Sequence, residues 1–204
     1  MQMPFILILA AGGSTRMRGG DKLLEPVEGE PLLRRLARLA VETGCPVLVA
    51  HDPARAARAA VLEGLALRIV AVPDAAVGMS ASLRAGVRAA MDLTNVPDAG
   101  LMILPADMPD IALEDLAGIA AAFRAAPDRI WRGVAATGQQ GHPAIFPADL
   151  WPALLASSGD QGGIAVLRAS AERIAPFALP GLAAVTDLDT PEDWVDWRAR
   201  NPGR

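Results

Sequence analysis

Phe5 to Lys22, FILILAAGGSTRMRGGDK, constrains the fold more than any other stretch of the chain. Phe5 to Leu9 is a short, unbroken apolar run, the pattern of a strand buried on both faces of a parallel sheet. At Ala10-Ala11-Gly12-Gly13 side-chain bulk disappears, so another group can approach the backbone, and glycine permits positive φ. Ser14, Thr15, Arg16, a second pair Gly19-Gly20 and Asp21-Lys22 follow. A glycine-rich loop at the carboxyl end of a strand offers N–H groups to an anion, and Arg16 and Lys22 add positive charge at the same place. The stretch reads as a phosphate-binding turn, with a tight surface turn as the plainer alternative. The phosphate-loop spacing G-x-x-x-x-G-K-[ST] is absent, because Asp21 precedes Lys22 and Leu23 follows it, and G-x-G-x-x-G is absent as well. Lys22 is the only lysine in the chain. Arginine would serve for bulk charge, so a solitary ammonium marks a site that needs a compact cation.

The chain has 204 residues, 52% of them hydrophobic, enough for one domain with a sizeable core. We expect a single domain over 1–204, with one half to about residue 110 and a second from about 111 to 197. A net charge of −4 gives no general attraction to nucleic acid or an anionic membrane. The single Cys45 excludes an internal disulfide, no basic region precedes Phe5, and no apolar run reaches the length of a membrane helix. A cytoplasmic location is expected.

Strand and helix patterns alternate from there. After Pro31, placed at the first helical position, Leu32, Leu33, Leu36, Leu39 and Ala40 recur at helical spacing, with Arg34, Arg35 and Arg38 assigned outward. Gly44 ends that helix. Strands are expected at Val47–Ala50, Leu67–Val72, Leu101–Leu104, Ile130–Ala135, Ile174–Leu179 and Val185–Asp187. Helices are expected at about 54–63, 81–91, 113–123, 148–156 and 164–169. The alternation predicts parallel βαβ units, whose ligands bind beyond the carboxyl ends of the strands. Gly12, His51 and Asp74 all lie just past such ends. Ser80 or Ser82 can cap the helix that follows Gly78.

Asp107 follows a strand within Pro105-Ala106-Asp107-Met108-Pro109, a rigid, extended setting. A hard cation such as Mg²⁺ takes one or two carboxylates plus substrate phosphates, so Asp107 reads as a metal ligand, and Asp110 as the better cap for the next helix. Near the end, Thr190-Pro191-Glu192-Asp193 reads as a capping box with proline at the first helical position. That leaves Asp187 and Asp189 free for a metal, and Asp187 is favoured as a second ligand because it ends a short strand. Arg198 to Arg204 reads as a loose tail.

The pattern L-A-A-G-x-S-x-R-M followed by D-K-L-L resembles the signature of the molybdopterin nucleotidyltransferase-like (MobA-like NTP transferase) family. That family is similar to the sugar-phosphate and methylerythritol-phosphate nucleotidyltransferases. The resemblance continues in G-M-x-x-S-L at Gly78–Leu83, P-x-D-M-P at Asp107, G-H-P at His142 and D-x-D-T-P-E-D from Asp187. It implies a three-layer, Rossmann-like nucleotidyltransferase (GT-A-like) α/β fold with a mostly parallel sheet. Leu9, Ala10, Ala11, Gly12, Gly13, Ser14, Lys22, Asp74, Ser80 and Ser82 would bind nucleotide. Lys22, Arg16 and Asp107 would carry catalysis, His142 and Asp160 would face the acceptor, and Asp107 with Asp187 would hold Mg²⁺. Two departures stand out. Arg18 occupies a position where the family usually has glycine, and the arginine of the family's G-D-x-G-A-R segment is missing after Gly162.

The activity implied is attack of an acceptor phosphate on the α-phosphate of a nucleoside triphosphate, with release of pyrophosphate. Such transfer asks for positioning and charge neutralisation, and an ionised phosphate needs no general base. Cytidylyl-transferring members typically carry L-A-A-G and guanylyl-transferring members L-A-G-G, so Ala11 points to CTP with molybdopterin as acceptor. A molybdoenzyme or its chaperone would be a protein partner. The rival readings are a guanylyltransferase using GTP, a cytidylyltransferase acting on another small phosphate, and a nucleotide-binding regulator without turnover.

Overall fold

The structure, a computed structural model, describes residues 3–156 and 163–204. Its strands are β1 (Phe5–Leu9), β2 (Pro26–Val27), β3 (Glu30–Pro31), β4 (Val47–His51), β5 (Arg68–Ala71), β6 (Gly100–Pro105), β7 (Ile130–Val134), β8 (Gln140–Pro147) and β9 (Ile174–Ala178). Its α-helices are α1 (Leu32–Glu42), α2 (Ala56–Ala60), α3 (Met79–Leu93), α4 (Leu113–Ala125), α5 (Trp151–Leu155), α6 (Ile164–Ala169) and α7 (Pro191–Arg200). β2 and β3 form a small antiparallel ribbon, and the other seven strands form one sheet in the order β5-β4-β1-β6-β8-β7-β9.

The expected mostly parallel α/β sheet is present. β1 pairs in parallel with β4 and β6, β4 with β5, and β7 with β9. β8 alone runs antiparallel to both neighbours, β6 and β7. β1 occupies a central place because both its faces are apolar. Ile6 and Ile8 enter a core with Leu33 and Leu36 of α1 and Leu116, Ile119 and Phe123 of α4. Phe5 and Leu7 enter the opposite core with Leu83 and Val87 of α3, Trp151 and Leu154 of α5 and Val166 of α6. The two-residue period of a strand thus feeds two helical layers.

Close packing of α3 on β1 needs Gly86. A Cβ there would stand 2.2 Å from Leu7 Cδ2. Overpacking a core of this kind costs about 1–3 kcal/mol. Gly86→Ala is therefore expected to lower the melting temperature by roughly 2–12 °C, read by thermal unfolding. An unchanged melting temperature would mean that α3 can slide on the sheet.

Tertiary contacts revise several local assignments. Arg35 is buried, not outward: its Nε donates to Glu28 (2.8 Å) and its Nη1 to the carbonyls of Pro109 and Ile111. Pro31 is the residue before α1, one position earlier than expected. Asp110 does not cap α4. Asp115 accepts from the Ala112 amide at that helix start, while Asp110 accepts from Trp197 Nε1 (2.9 Å). Val185–Asp187 is not a strand, because the amides of Val185 and Thr186 turn back to the Leu182 carbonyl instead of joining a ladder. The terminal segment is docked. Arg204 pairs with Glu28 and lies over the Trp197 ring, and Asn201 bonds the Trp197 carbonyl. Trp194 and Trp197 form a third core with Met17, Val27, Leu32 and Leu188. That core joins the C-terminal helix to the loop after β1.

Candidate active site

A cleft of about 880 Å³ opens beyond the carboxyl ends of β1 and β6. Its lining comes from five segments far apart in sequence: the glycine-rich loop with Lys22, Asp52 with Arg55, the turn at 75–79 with Ser82, Pro105 with Asp107, and the pair Asp187 and Asp189. Lys22 starts a 3-10 turn, Lys22–Leu24, which Asp21 caps by accepting from the Leu23 amide. Lys22 Nζ donates to Asp107 Oδ2 at 2.5 Å and to Asp189 Oδ1 at 2.6 Å. Arg16 Nη1 meets the other oxygen of Asp189 at 2.7 Å. The Leu188 amide donates to the Asp107 carbonyl, which ties the two acidic segments together.

Charge is concentrated here under partial burial, and the ionisation of Lys22 and Asp187 shows it. Burial works against the Lys22 ammonium, but Asp107 and Asp189 outweigh it, so Lys22 holds its proton more tightly than an ordinary lysine. Burial, and then the charges of Asp107 and Asp189, push the Asp187 carboxyl up. Asp107 Oδ1 is buried and has no hydrogen-bond partner. A hard cation would satisfy that orphaned oxygen and relieve the repulsion at Asp187. Among the described residues no three His, Cys, Asp or Glu side chains gather as a metal site of their own. The donors therefore fit a cation held by one or two carboxylates and completed by substrate oxygens.

Of the residues expected from sequence, Leu9, Ala11, Gly12, Gly13, Arg16, Lys22, Ser82, Asp107 and Asp187 line this cleft. Ala10 is packed in the core and contributes only its backbone. Ser14, at φ 50°, turns its hydroxyl inward, donating to Asp21 and accepting from Arg58. Asp74 is exposed and precedes the 75–77 turn without joining the lining. Neither serine caps α3. The helix begins at Met79 after Gly78 at φ 115°, which leaves Ser80 buried with an unpartnered hydroxyl inside the first turn. His142 also lies off the lining. Its Nδ1 is buried without a partner, and burial lowers its affinity for a proton, which keeps the ring neutral. Asp160, Gly159 and Gly162 lie outside the described residues.

Sequence reasoning missed Arg58, and with it Arg55 and the pairing role of Asp189. Arg58 sits in the alanine-rich α2 and reads as a surface arginine, yet its side chain is fully buried against Asp21, at 2.7 Å. No local signal marks it, because its partners lie 37 to 48 residues away. Arg55 Nη2 donates to the Gly13 carbonyl at 2.6 Å. Arg18, the departure from the family pattern, pairs with Glu192 of α7 at 2.6 Å.

The Asp21–Arg58 pair predicts an acid-dependent contribution to stability. Burial opposes ionisation of Asp21, but Arg58, the Leu23 amide and Ser14 outweigh it and lower its pKa below the usual 3.8. A carboxyl with a depressed folded-state pKa stabilises above its unfolded value, and the contribution is lost as pH falls through the folded value. Asp21→Asn is expected to be less stable than the parent at pH 7, with the difference shrinking below about pH 4. Urea unfolding at pH 7 and pH 3 checks this, and a pH-independent difference would refute the assignment.

A family model described as the MobA-like NTP transferase domain matches residues 6–174. A molybdenum cofactor guanylyltransferase from Bradyrhizobium sp. (strain ORS 278) is 36% identical over 154 residues, 73% of this chain. The match spans 66% of that relative's length. Among solved structures, Rv0371c of Mycobacterium tuberculosis H37Rv superimposes with a TM-score of 0.79 at 24% identity, covering 96% of this chain and 97% of that one. The same mycobacterial protein in complex with manganese gives 0.71 at 22% identity, with 96% and 97% covered. These likenesses extend the common fold over nearly the whole chain.

Proposed function

Since this chain belongs to the MobA-like NTP transferase family, we propose that it transfers a nucleotide, CMP from CTP, to the phosphate of a molybdopterin-type acceptor. The observation that carries this reading is Lys22, held at 2.5 Å and 2.6 Å between Asp107 and Asp189 beside a glycine-rich loop that lines the same cleft. An acceptor phosphate oxygen bonds to the α-phosphorus, the bond from that phosphorus to the bridging β-phosphate oxygen breaks, and pyrophosphate departs with the electron pair. Lys22 and Arg16 neutralise charge that grows on the α-phosphate and on the leaving group. No side chain is required as base, which agrees with the place of His142 off the lining. A divalent cation bound by Asp107 and Asp187 would supply further neutralisation on the phosphate oxygens. The manganese complex of the mycobacterial neighbour supports a divalent ion in this fold.

CTP is preferred over GTP because Ala11, whose side chain is a methyl, belongs to the core that holds Leu7, Leu48 and Ala50 and also lines the cleft. That methyl takes room that a purine would need. The second reading, GTP, is supported by the name of the 36% identical relative.

Thermal unfolding with CTP, GTP, ATP and UTP, each with and without Mg²⁺, tests the proposal. A ligand at 100 times its dissociation constant adds about 2.7 kcal/mol, a rise of roughly 5–10 °C for a chain of this size. The expected result is a Mg²⁺-dependent rise with CTP, followed by pyrophosphate release once molybdopterin is added. A rise with GTP alone would overturn the role of Ala11 and leave the family. No rise with any nucleotide would refute triphosphate binding at the glycine-rich loop.

A further inference from the structure

Three carbonyls of the glycine-rich loop, those of Ala10, Gly12 and Gly13, accept from two arginines of one segment. Arg58 Nη1 donates to the carbonyls of Ala10 and Gly12, both at 2.7 Å. Its Nη2 donates to Ser14 Oγ (2.9 Å) and Asp21 Oδ1 (2.8 Å), and its Nε to Asp21 Oδ2 (2.7 Å). One planar guanidinium, fully buried, therefore spans both arms of the loop: the exit of β1 on one side and the residue before Lys22 on the other. Arg55 grips the next carbonyl, Gly13, at 2.6 Å.

In a trans peptide the C=O and the following N–H point in opposite directions. Holding the Ala10 and Gly12 carbonyls toward Arg58 turns the Ala11 and Gly13 amides away from it. Holding the Gly13 carbonyl toward Arg55 does the same to the Ser14 amide. None of these three amides donates to another backbone group of the described chain. Ala11, Gly12 and Gly13 line the cleft, and a Cβ built on Gly12 would meet nothing within 4 Å.

We propose that Arg58 is a positioning residue that builds the anion site by fixing the loop's carbonyls, so that the amides of Ala11 and Gly13, with that of Ser14, converge on the triphosphate. This rests on the reading that the loop holds a nucleoside triphosphate. Arg58 touches no substrate; it sets the direction of backbone dipoles that do. The geometry needs arginine. A lysine ammonium has three donors on one atom and cannot reach two carbonyls, a hydroxyl and both carboxylate oxygens together. Asp21 holds the guanidinium in register, which gives that carboxylate a purpose besides capping Lys22–Leu24.

The test compares wild type, Arg58→Lys and the charge-neutral double variant Arg58→Met with Asp21→Asn, which leaves no unpaired buried charge. Inorganic tripolyphosphate with Mg²⁺ serves as probe, titrated calorimetrically on the fraction that circular dichroism shows to be folded. Both variants are expected to bind it roughly 10- to 100-fold more weakly, with KM for the nucleotide raised more than kcat is lowered. A merely structural role would lower the folded fraction and leave the dissociation constant and KM of that fraction unchanged, which would overturn the proposal. Should neither variant fold, amide NMR of the wild-type chain decides. Addition of tripolyphosphate should move the Ala11, Gly13 and Ser14 resonances more than those elsewhere. Binding without movement of those amides would refute the role of Arg58 and keep the proposed function; no binding of tripolyphosphate or nucleotide to the wild type would refute both.

Discussion

Lys22→Ala is expected to lower kcat for nucleotidyl transfer by about 10²–10³-fold, the cost of removing one preorganised charge from a developing anion. The reasoning starts from the position of Lys22. Its side chain is 13% exposed and is held between Asp107 and Asp189 rather than moving freely in solvent. A charge already oriented needs no reorganisation when negative charge grows on the α-phosphate. Arginine should not substitute. Lys22→Arg places a broad planar fork where two carboxylates grip a compact ammonium, and we expect it to recover less than a tenth of the lost rate. The substitution should also register in stability. Without the ammonium, Asp107, Asp187 and Asp189 repel one another, so Lys22→Ala loses about 1–3 kcal/mol at pH 7. Because protonation of Asp187, whose carboxyl burial and its acidic neighbours push up, relieves that repulsion, the difference between variant and parent should shrink as the pH falls through the acid range. Single-turnover transfer and urea unfolding across pH measure both effects. Full activity in Lys22→Ala would show that the solitary lysine has no part in the chemistry.

Asp107→Asn should lower turnover on the order of 10³-fold and abolish any Mg²⁺-dependent rise in melting temperature with nucleotide. Asparagine keeps the size of the side chain and can still accept from Lys22. It removes the charge that a divalent cation would need and leaves an amide where a buried carboxylate oxygen has no partner. The fold should survive, because Asp187 then has one fewer like charge beside it. Rescue by Mn²⁺ in place of Mg²⁺ is not expected, since the proposal makes the lost group a ligand rather than a tuning residue. Retained Mg²⁺-dependent binding in Asp107→Asn would move the metal to Asp187 and Asp189. A nucleotide-binding regulator would behave differently from an enzyme here, as its function would tolerate the substitution.

The two predictions draw on different amounts of sequence information. Lys22 stood out as the only lysine and Asp107 as an acid between two prolines past a strand, both local signals with a physical reason. β1 was legible to the residue at Phe5–Leu9, since a continuous apolar run between a proline and a glycine pair has few alternatives. The capping box at Thr190 and Asp193 was legible for the same reason, its partners being three residues apart. Where the local pattern was ambiguous, contacts decided. Val185–Asp187 has strand propensity but no neighbour to pair with, and Arg198–Arg204 is polar yet anchored by Trp197, Glu28 and Asp110.

The sequence by itself determined the alternation of strand and helix, the glycine-rich exit of β1 and the identity of the charged residues gathered at the strand ends. Each of these depends on interactions between residues close in the chain, whose periods and caps can be read directly. Only the tertiary structure decided that β8 runs against its neighbours, that Asp189 rather than Asp187 meets Lys22 and Arg16, and that Arg58 lies beneath the loop. The ion pairs among them join groups from 37 residues apart, Asp21 with Arg58, to 173 apart, Arg16 with Asp189. A buried guanidinium is indistinguishable from a solvated one until the carbonyls and the carboxylate that hold it are in place.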